Sequence, residues 1–164
     1  MWSRFALLTL LAATGCSSSS RKPAPTGPAA FVGVWVPEGQ DAGASVGSRT
    51  CGTSAPVVSP LTSNLTVTMV GTELVSASTT DGCMVILTVS GNQASALEDQ
   101  MCTLYATSSS DVAVETVMTY QLDVDGNTLT SSATGTTTDA KPKGDAGVSD
   151  LNCTVSSVGE YVKQ

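Results

Sequence analysis

Five cysteines and fourteen carboxylates hold most of the chemistry this chain can offer, and it has no histidine. The missing imidazole removes the commonest general base, and with it any Ser-His-Asp arrangement. Thiols leave three options: covalent modification, disulfide bonding or metal ligation. Metal ligation needs thiolates paired closely in sequence, or histidine beside them. No Cys-x-x-Cys occurs among Cys16, Cys51, Cys83, Cys102 and Cys153, so no metal site is expected. The carboxylates are scattered. Asp81, Asp99 and Asp125 fall between strand-like runs, where Asp serves turns. Asp123-Val124-Asp125-Gly126-Asn127 opens like a calcium loop, but Thr134 stands where such a loop needs its twelfth-position Glu. It reads as a hairpin turn. Nothing marks out a carboxylate pair for glycoside hydrolysis. No catalytic residue and no cofactor are expected.

Cys16 differs from the other four in its surroundings. Arg4 precedes an apolar run, Phe5 to Ala13, which is too short to cross a bilayer as a permanent helix. This order of charge and apolar run describes a signal peptide. Small residues, Thr14 and Gly15, then lead to Cys16. The segment Leu11-Ala12-Ala13-Thr14-Gly15-Cys16 resembles the bacterial lipobox, with Ala13 where that family usually has Leu and with Leu10 and Leu11 upstream. The resemblance implies diacylation of the Cys16 thiol and cleavage on its N-terminal side. Residues 1–15 are then a lipoprotein signal peptide. Residues 16–30 carry the lipidated Cys and a Ser/Pro-rich tether without periodicity. Residues 31–164 form one domain, as the length allows. Ser17, rather than Asp, after Cys16 implies by the same resemblance an outer-membrane location, periplasmic or surface-facing.

Lipidation of Cys16 leaves an even set: Cys51, Cys83, Cys102 and Cys153. In an exported protein four such cysteines suggest two disulfides, for which three connectivities exist. The choice depends on the strands.

The chain is apolar (41% hydrophobic residues) yet poor in charge (13%) and aromatics (4%). Val and Thr are abundant, and β-branched side chains suit pleated surfaces. The alternation has period two. From Val112 to Val124 the even positions are mostly apolar and the odd ones, including Glu115, Thr119, Gln121 and Asp123, mostly polar. Leu65, Val67 and Met69 share one face, as do Cys83, Val85, Leu87 and Val89. Strands are expected near 31–36, 46–53, 64–70, 73–79, 83–90, 93–98, 101–107, 112–124, 128–136, 150–158 and 160–163. Gly-rich turns such as Gly91-Asn92 and Gly126-Asn127 separate several of them. Residues 137–149, with Pro142, Gly144 and Gly147, read as a long loop. The fold class is therefore all-β: an antiparallel up-and-down meander of about eight to ten strands. A closed barrel is favoured over a sandwich, because local hairpins dominate and closure removes the edges. If the chain turns at Gly91-Asn92, Cys83 returns opposite a residue near 100, within reach of Cys102. That favours Cys83–Cys102 and leaves Cys51–Cys153 to clamp the ends of the meander. A bridge over so long a loop stabilises by about 2–4 kcal/mol.

The domain opens Phe31-Val32-Gly33-Val34-Trp35. Gly33-x-Trp35 on a first strand resembles lipocalins and related small barrels of the calycin group. The resemblance implies a barrel with room for a small apolar ligand. A net charge of −7, one unit more negative once Arg4 leaves with the signal, argues against phosphate-backbone binding. The scarcity of aromatics removes the stacking platform of single-strand binders. No nucleic acid partner is expected. The expected role is a non-enzymatic, membrane-anchored binding module for a small ligand, envelope polymer or protein. The alternative is a structural or assembly accessory of the envelope without a small ligand.

Overall fold

The computed structural model describes residues 25–38, 45–79, 82–105, 112–140 and 152–164. Cys16, the signal segment and most of the tether lie outside them. A four-residue helix, α1 (Pro28–Phe31), leads into eleven strands: β1 (Gly33–Pro37), β2 (Val46–Cys51), β3 (Val57–Pro60), β4 (Leu65–Met69), β5 (Leu74–Ser78), β6 (Met84–Ser90), β7 (Gln93–Ala96), β8 (Gln100–Tyr105), β9 (Val112–Asp125), β10 (Thr128–Ala140) and β11 (Asn152–Lys163). All pairings are antiparallel. The order β1-β4-β5-β6-β7-β9-β10-β11 closes on itself through β1–β11 pairing. The domain is thus a closed eight-stranded barrel with three additional strands, and closure removes most free edges.

The additions follow from strand length. β9, β10 and β11 have 14, 13 and 12 residues, against 4 to 7 in the rest of the ring. They outrun their neighbours. The C-terminal part of β9 pairs with β7, while its N-terminal part pairs with β8. The end of β11 pairs with β1, while its N-terminal half pairs with β2, which carries β3 at its outer side. The chain therefore departs from a strict meander, since the β2–β3 hairpin is set aside onto β11 and β1 pairs with β4. Residues expected as two strands near 150–158 and 160–163 form one. Thr137–Ala140, expected in a loop, continue β10, where a β-branched run suits a strand. β3 was not expected; it is short, ends on Pro60 and lies at the sheet edge, where Pro is tolerated.

The interior around α1 and Trp35 is filled. Phe31 and Trp35 are fully buried with Leu87, Val75 and Val85, and the expected inward set Cys83, Val85, Leu87, Val89 is buried throughout. The Trp35 indole N–H donates to the Phe31 carbonyl at 2.7 Å. Lys163, opposite Trp35 in the β1–β11 ladder, lies with its ammonium 5.0 Å from the indole ring centre and donates to the Ala30 carbonyl at 3.4 Å. First strand, last strand and α1 are tied together there.

One irregularity changes the interior. In the β9–β10 ladder Thr134 faces Thr119, but Gly135 faces Val117, so Met118 is an extra residue. A bulge of this kind swaps the faces of everything beyond it. Tyr120, Leu122 and Val124 point inward, as the even-position pattern predicts, whereas Glu115 and Val117 replace Val114 and Thr116 inside. The bulge requires Gly135. A Cβ there would stand 2.5 Å from the Thr116 carbonyl oxygen, and a backbone atom cannot swing aside. Gly135→Ala is expected to destabilise the oxidised domain by about 1–3 kcal/mol, an overpacking cost, seen as a lower urea midpoint. An unchanged midpoint would show that the bulge tolerates a side chain.

Candidate functional site

A cleft lies beyond the bulge. β9, β10 and β11 form one wall, and β2, β3 and the residues after them curl into the opposite wall. The space between is a half-open cleft of about 500 Å³, within the size range of small-molecule sites. Its lining mixes hydroxyls (Ser48, Ser59, Thr134, Ser157) with aliphatic groups (Val57, Leu61, Val117, Val155). Among the described residues it contains no aromatic ring and two charged groups, Arg49 and Glu115. Arg49 is exposed, whereas Glu115 is 4% exposed.

Glu115 is held by local structure. Thr79, just past β5, donates its hydroxyl to Glu115 Oε2 at 3.1 Å and accepts the Cys83 backbone N–H at 3.0 Å. The Thr79 N–H donates to the Cys83 carbonyl at 2.7 Å. This turn ties the carboxylate to the start of β6. On β8, Cys102 stands opposite Glu115, and on β10 Thr137 does. Thr137 pairs onward with Cys153, which pairs with Cys51. One row around the inner wall therefore reads Cys102, Glu115, Thr137, Cys153, Cys51. Thr137 is 1% exposed, and its hydroxyl makes no hydrogen bond.

The structure joins Cys51 to Cys153 and Cys83 to Cys102, with Cα separations of 4.0 and 5.8 Å. These are the favoured pairs. The first joins early β2 to the final strand β11 as a direct cross-strand neighbour pair, and so ties the two ends of the chain's strand sequence together. The second closes a seam. β6 pairs with β7 only from Leu87 onward, so Ile86 lacks a strand partner on that side. The Gln100 side-chain amide substitutes: its carbonyl accepts the Ile86 N–H at 2.9 Å and its NH₂ donates to the Ile86 carbonyl at 2.7 Å. Ser45 does the same at the other handover, accepting from Glu160 N–H at 2.9 Å and donating to its carbonyl at 3.1 Å. Sulfurs of Cys83 and Cys102 lie within 4.8 Å of a Glu115 oxygen. Bonded to each other, they provide no thiolate to a metal.

The calcium-like segment at Asp123 to Asn127 is a hairpin turn, with Asp125 opposite Thr128 and Gly126 at φ +59°. The Asp123 carboxylate accepts from the Gln93 and Gln121 amides. Cys16 lies outside the described residues. Sequence reasoning missed Glu115 by assigning it to the outer face. The available signal was Gly135, an isolated glycine within a Thr-rich strand, which marks a bulge. The chain matches no known protein family, no curated protein and no solved structure. The site's own geometry therefore carries the functional argument.

Two buried phenols border this end. Tyr120 donates to the Ser78 carbonyl at 2.8 Å. Burial holds its pKa well above the usual range, and the charges of Tyr161 and Glu115 act in the same direction. Burial also raises Tyr161, partly offset by its hydrogen bond with Ser131. Unfolded phenols ionise near pH 10, so the folded state binds these protons more tightly. Stability from this source is complete below about pH 10 and is lost as pH rises beyond it. Melting curves should show the loss in the wild type and a shallower one in Tyr120→Phe; equal slopes would contradict it.

Proposed function

We propose that this chain is a bacterial envelope lipoprotein, processed before Cys16 and held by its acyl chains at the outer membrane, whose barrel binds a small ligand without chemical turnover. The observation that carries the binding role is the cleft of about 500 Å³ with one buried carboxylate in its wall. A filled core around Trp35 and a half-open cleft beyond the bulge suit a cup that receives a ligand. The anchoring role rests on the lipobox resemblance and on the even set of four cysteines that Cys16 leaves behind. A non-catalytic role is supported by the absence of His and by the lack of a second carboxylate beside Glu115 among the described residues lining the cleft. Hydrolysis by paired carboxylates needs a second one about 5–9.5 Å away, and among the described residues lining the cleft Glu115 is the only carboxylate.

A second reading, an assembly accessory that docks an envelope protein, is favoured by one observation. The edge strand β3 exposes Val57 and Val58, at 69% and 62%. Such an edge accepts another strand.

Cys16→Ser tests the anchor: labelled fatty acid should enter the wild type and not the variant. Incorporation in both would remove the lipobox reading. Native mass spectrometry of the detergent-extracted protein tests the cleft. Added mass beyond the acylated polypeptide is expected in the wild type. It should disappear in Ser157→Phe, whose ring occupies the cleft. A bare wild-type mass, or added mass that survives the substitution, would count against a ligand there.

A further inference from the structure

The methionines are placed against the habit of their residue type. Met is most often buried, yet all four in the domain, Met69, Met84, Met101 and Met118, are more than half exposed. The core around Trp35 is built from Val and Leu instead. Three of the four gather on one outer patch of the barrel, where β6, β8 and β9 meet. We infer that Met84, Met101 and Met118 bind a soft monovalent cation, copper(I), through their thioether sulfurs. The patch lies on the outer face, so this inference does not rest on the ligand reading of the cleft.

Backbone register brings these side chains together. Successive antiparallel pairings through β7 and β9 set β6 and β8 in opposite directions. The Cys83–Cys102 bridge holds the two strands at a Cα separation of 5.8 Å, with both sulfurs toward the core. Met84 follows one cysteine and Met101 precedes the other. The two therefore sit side by side on the outer face, 56% and 71% exposed. The Gln100 amide, bonded to the Ile86 N–H and carbonyl, fills the seam next to them and fixes the register. On β9, Thr116 stands opposite Met101, and Met118 is two residues further along. A diagonal neighbour of this kind lies about 7–8 Å away. The bulge leaves Met118 out of the ladder and 53% exposed, while Val117 and Tyr120 on either side point inward.

The chemistry selects the ion. A methionine side chain is unbranched, flexible and ends in a polarizable sulfur, so three of them can close such gaps onto one cation. Thioethers are soft ligands, which suit copper(I), whereas carboxylates and carbonyls suit hard cations. They also carry no proton to lose, so binding does not depend on deprotonating the site, as it does for thiols. Glu98 and Asp99, exposed between β7 and β8 beside the patch, and the net negative charge of the chain draw cations toward it. An apolar contact surface would be served as well by Leu or Val, which build the core. Sulfur ligation accounts for Met at all three positions.

Silver(I) is the probe, because it matches copper(I) in charge and softness and needs no reductant that would open the disulfides. It is titrated into the full-length detergent-extracted protein carrying isotope-labelled methionine methyl groups, followed by NMR. The methyl resonances of Met84, Met101 and Met118 should shift together and saturate at a single equivalent of silver. Met69, on β4 and away from the patch, should stay unmoved. Met101→Leu keeps an apolar side chain at an exposed position, and it should abolish the saturable shifts of the other two. Met69→Leu should leave them as they are. Magnesium ions, which are hard, should move none of the methyls. The metal-free spectrum of each variant reports its fold, and the wild-type contrast between Met69 and the other three stands even if a variant unfolds. No shift with silver, equal shifts at all four methyls, a response that survives Met101→Leu, or the same response to magnesium would each overturn the assignment.

Discussion

A single extra residue in β9 governs the character of this molecule. Met118 has no partner in the β9–β10 ladder, and the strand's two faces exchange at that point. Below the bulge, Tyr120, Leu122 and Val124 complete an apolar core around Trp35. Above it, Glu115 faces the inner row with two disulfides beside it. The exchange depends on a glycine, because Gly135 must lie against the Thr116 carbonyl without a Cβ between. The barrel has a packed apolar core on one side of the bulge and a half-open cleft lined in part by Glu115 on the other.

The long strands explain the rest of the architecture. Three strands that outrun the ring cannot keep the same neighbours along their whole length. Each handover leaves backbone groups unpaired, and a buried peptide group must find a partner. Gln100 and Ser45 fill those places with side chains that both donate and accept. The Cys83–Cys102 bridge reinforces one seam covalently.

Much of this was legible in the residues. The all-β class, the hairpins at Gly91-Asn92 and Gly126-Asn127, the buried set on β6 and the Cys83–Cys102 pair follow from local signals, and Cys51–Cys153 is the pair that remains. Period-two alternation and turn residues act over a few positions, and so they can be read without tertiary context. The set-aside hairpin was not legible, because Val57 to Pro60 is short and exposed on every residue. Glu115 was misplaced for a physical reason. Alternation gives the relative orientation of neighbours, not absolute direction, and a bulge resets it silently.

The sequence by itself determined the strand-rich composition, the separation of Cys16 from four domain cysteines and the lack of imidazole chemistry. These are properties of residue type and of short-range spacing. Only the tertiary structure decided which strands close the ring, which face of β9 looks inward and that a carboxylate borders a cleft. Those outcomes depend on pairing between residues far apart in the chain, where a one-residue change of register turns an exposed Glu into a buried one.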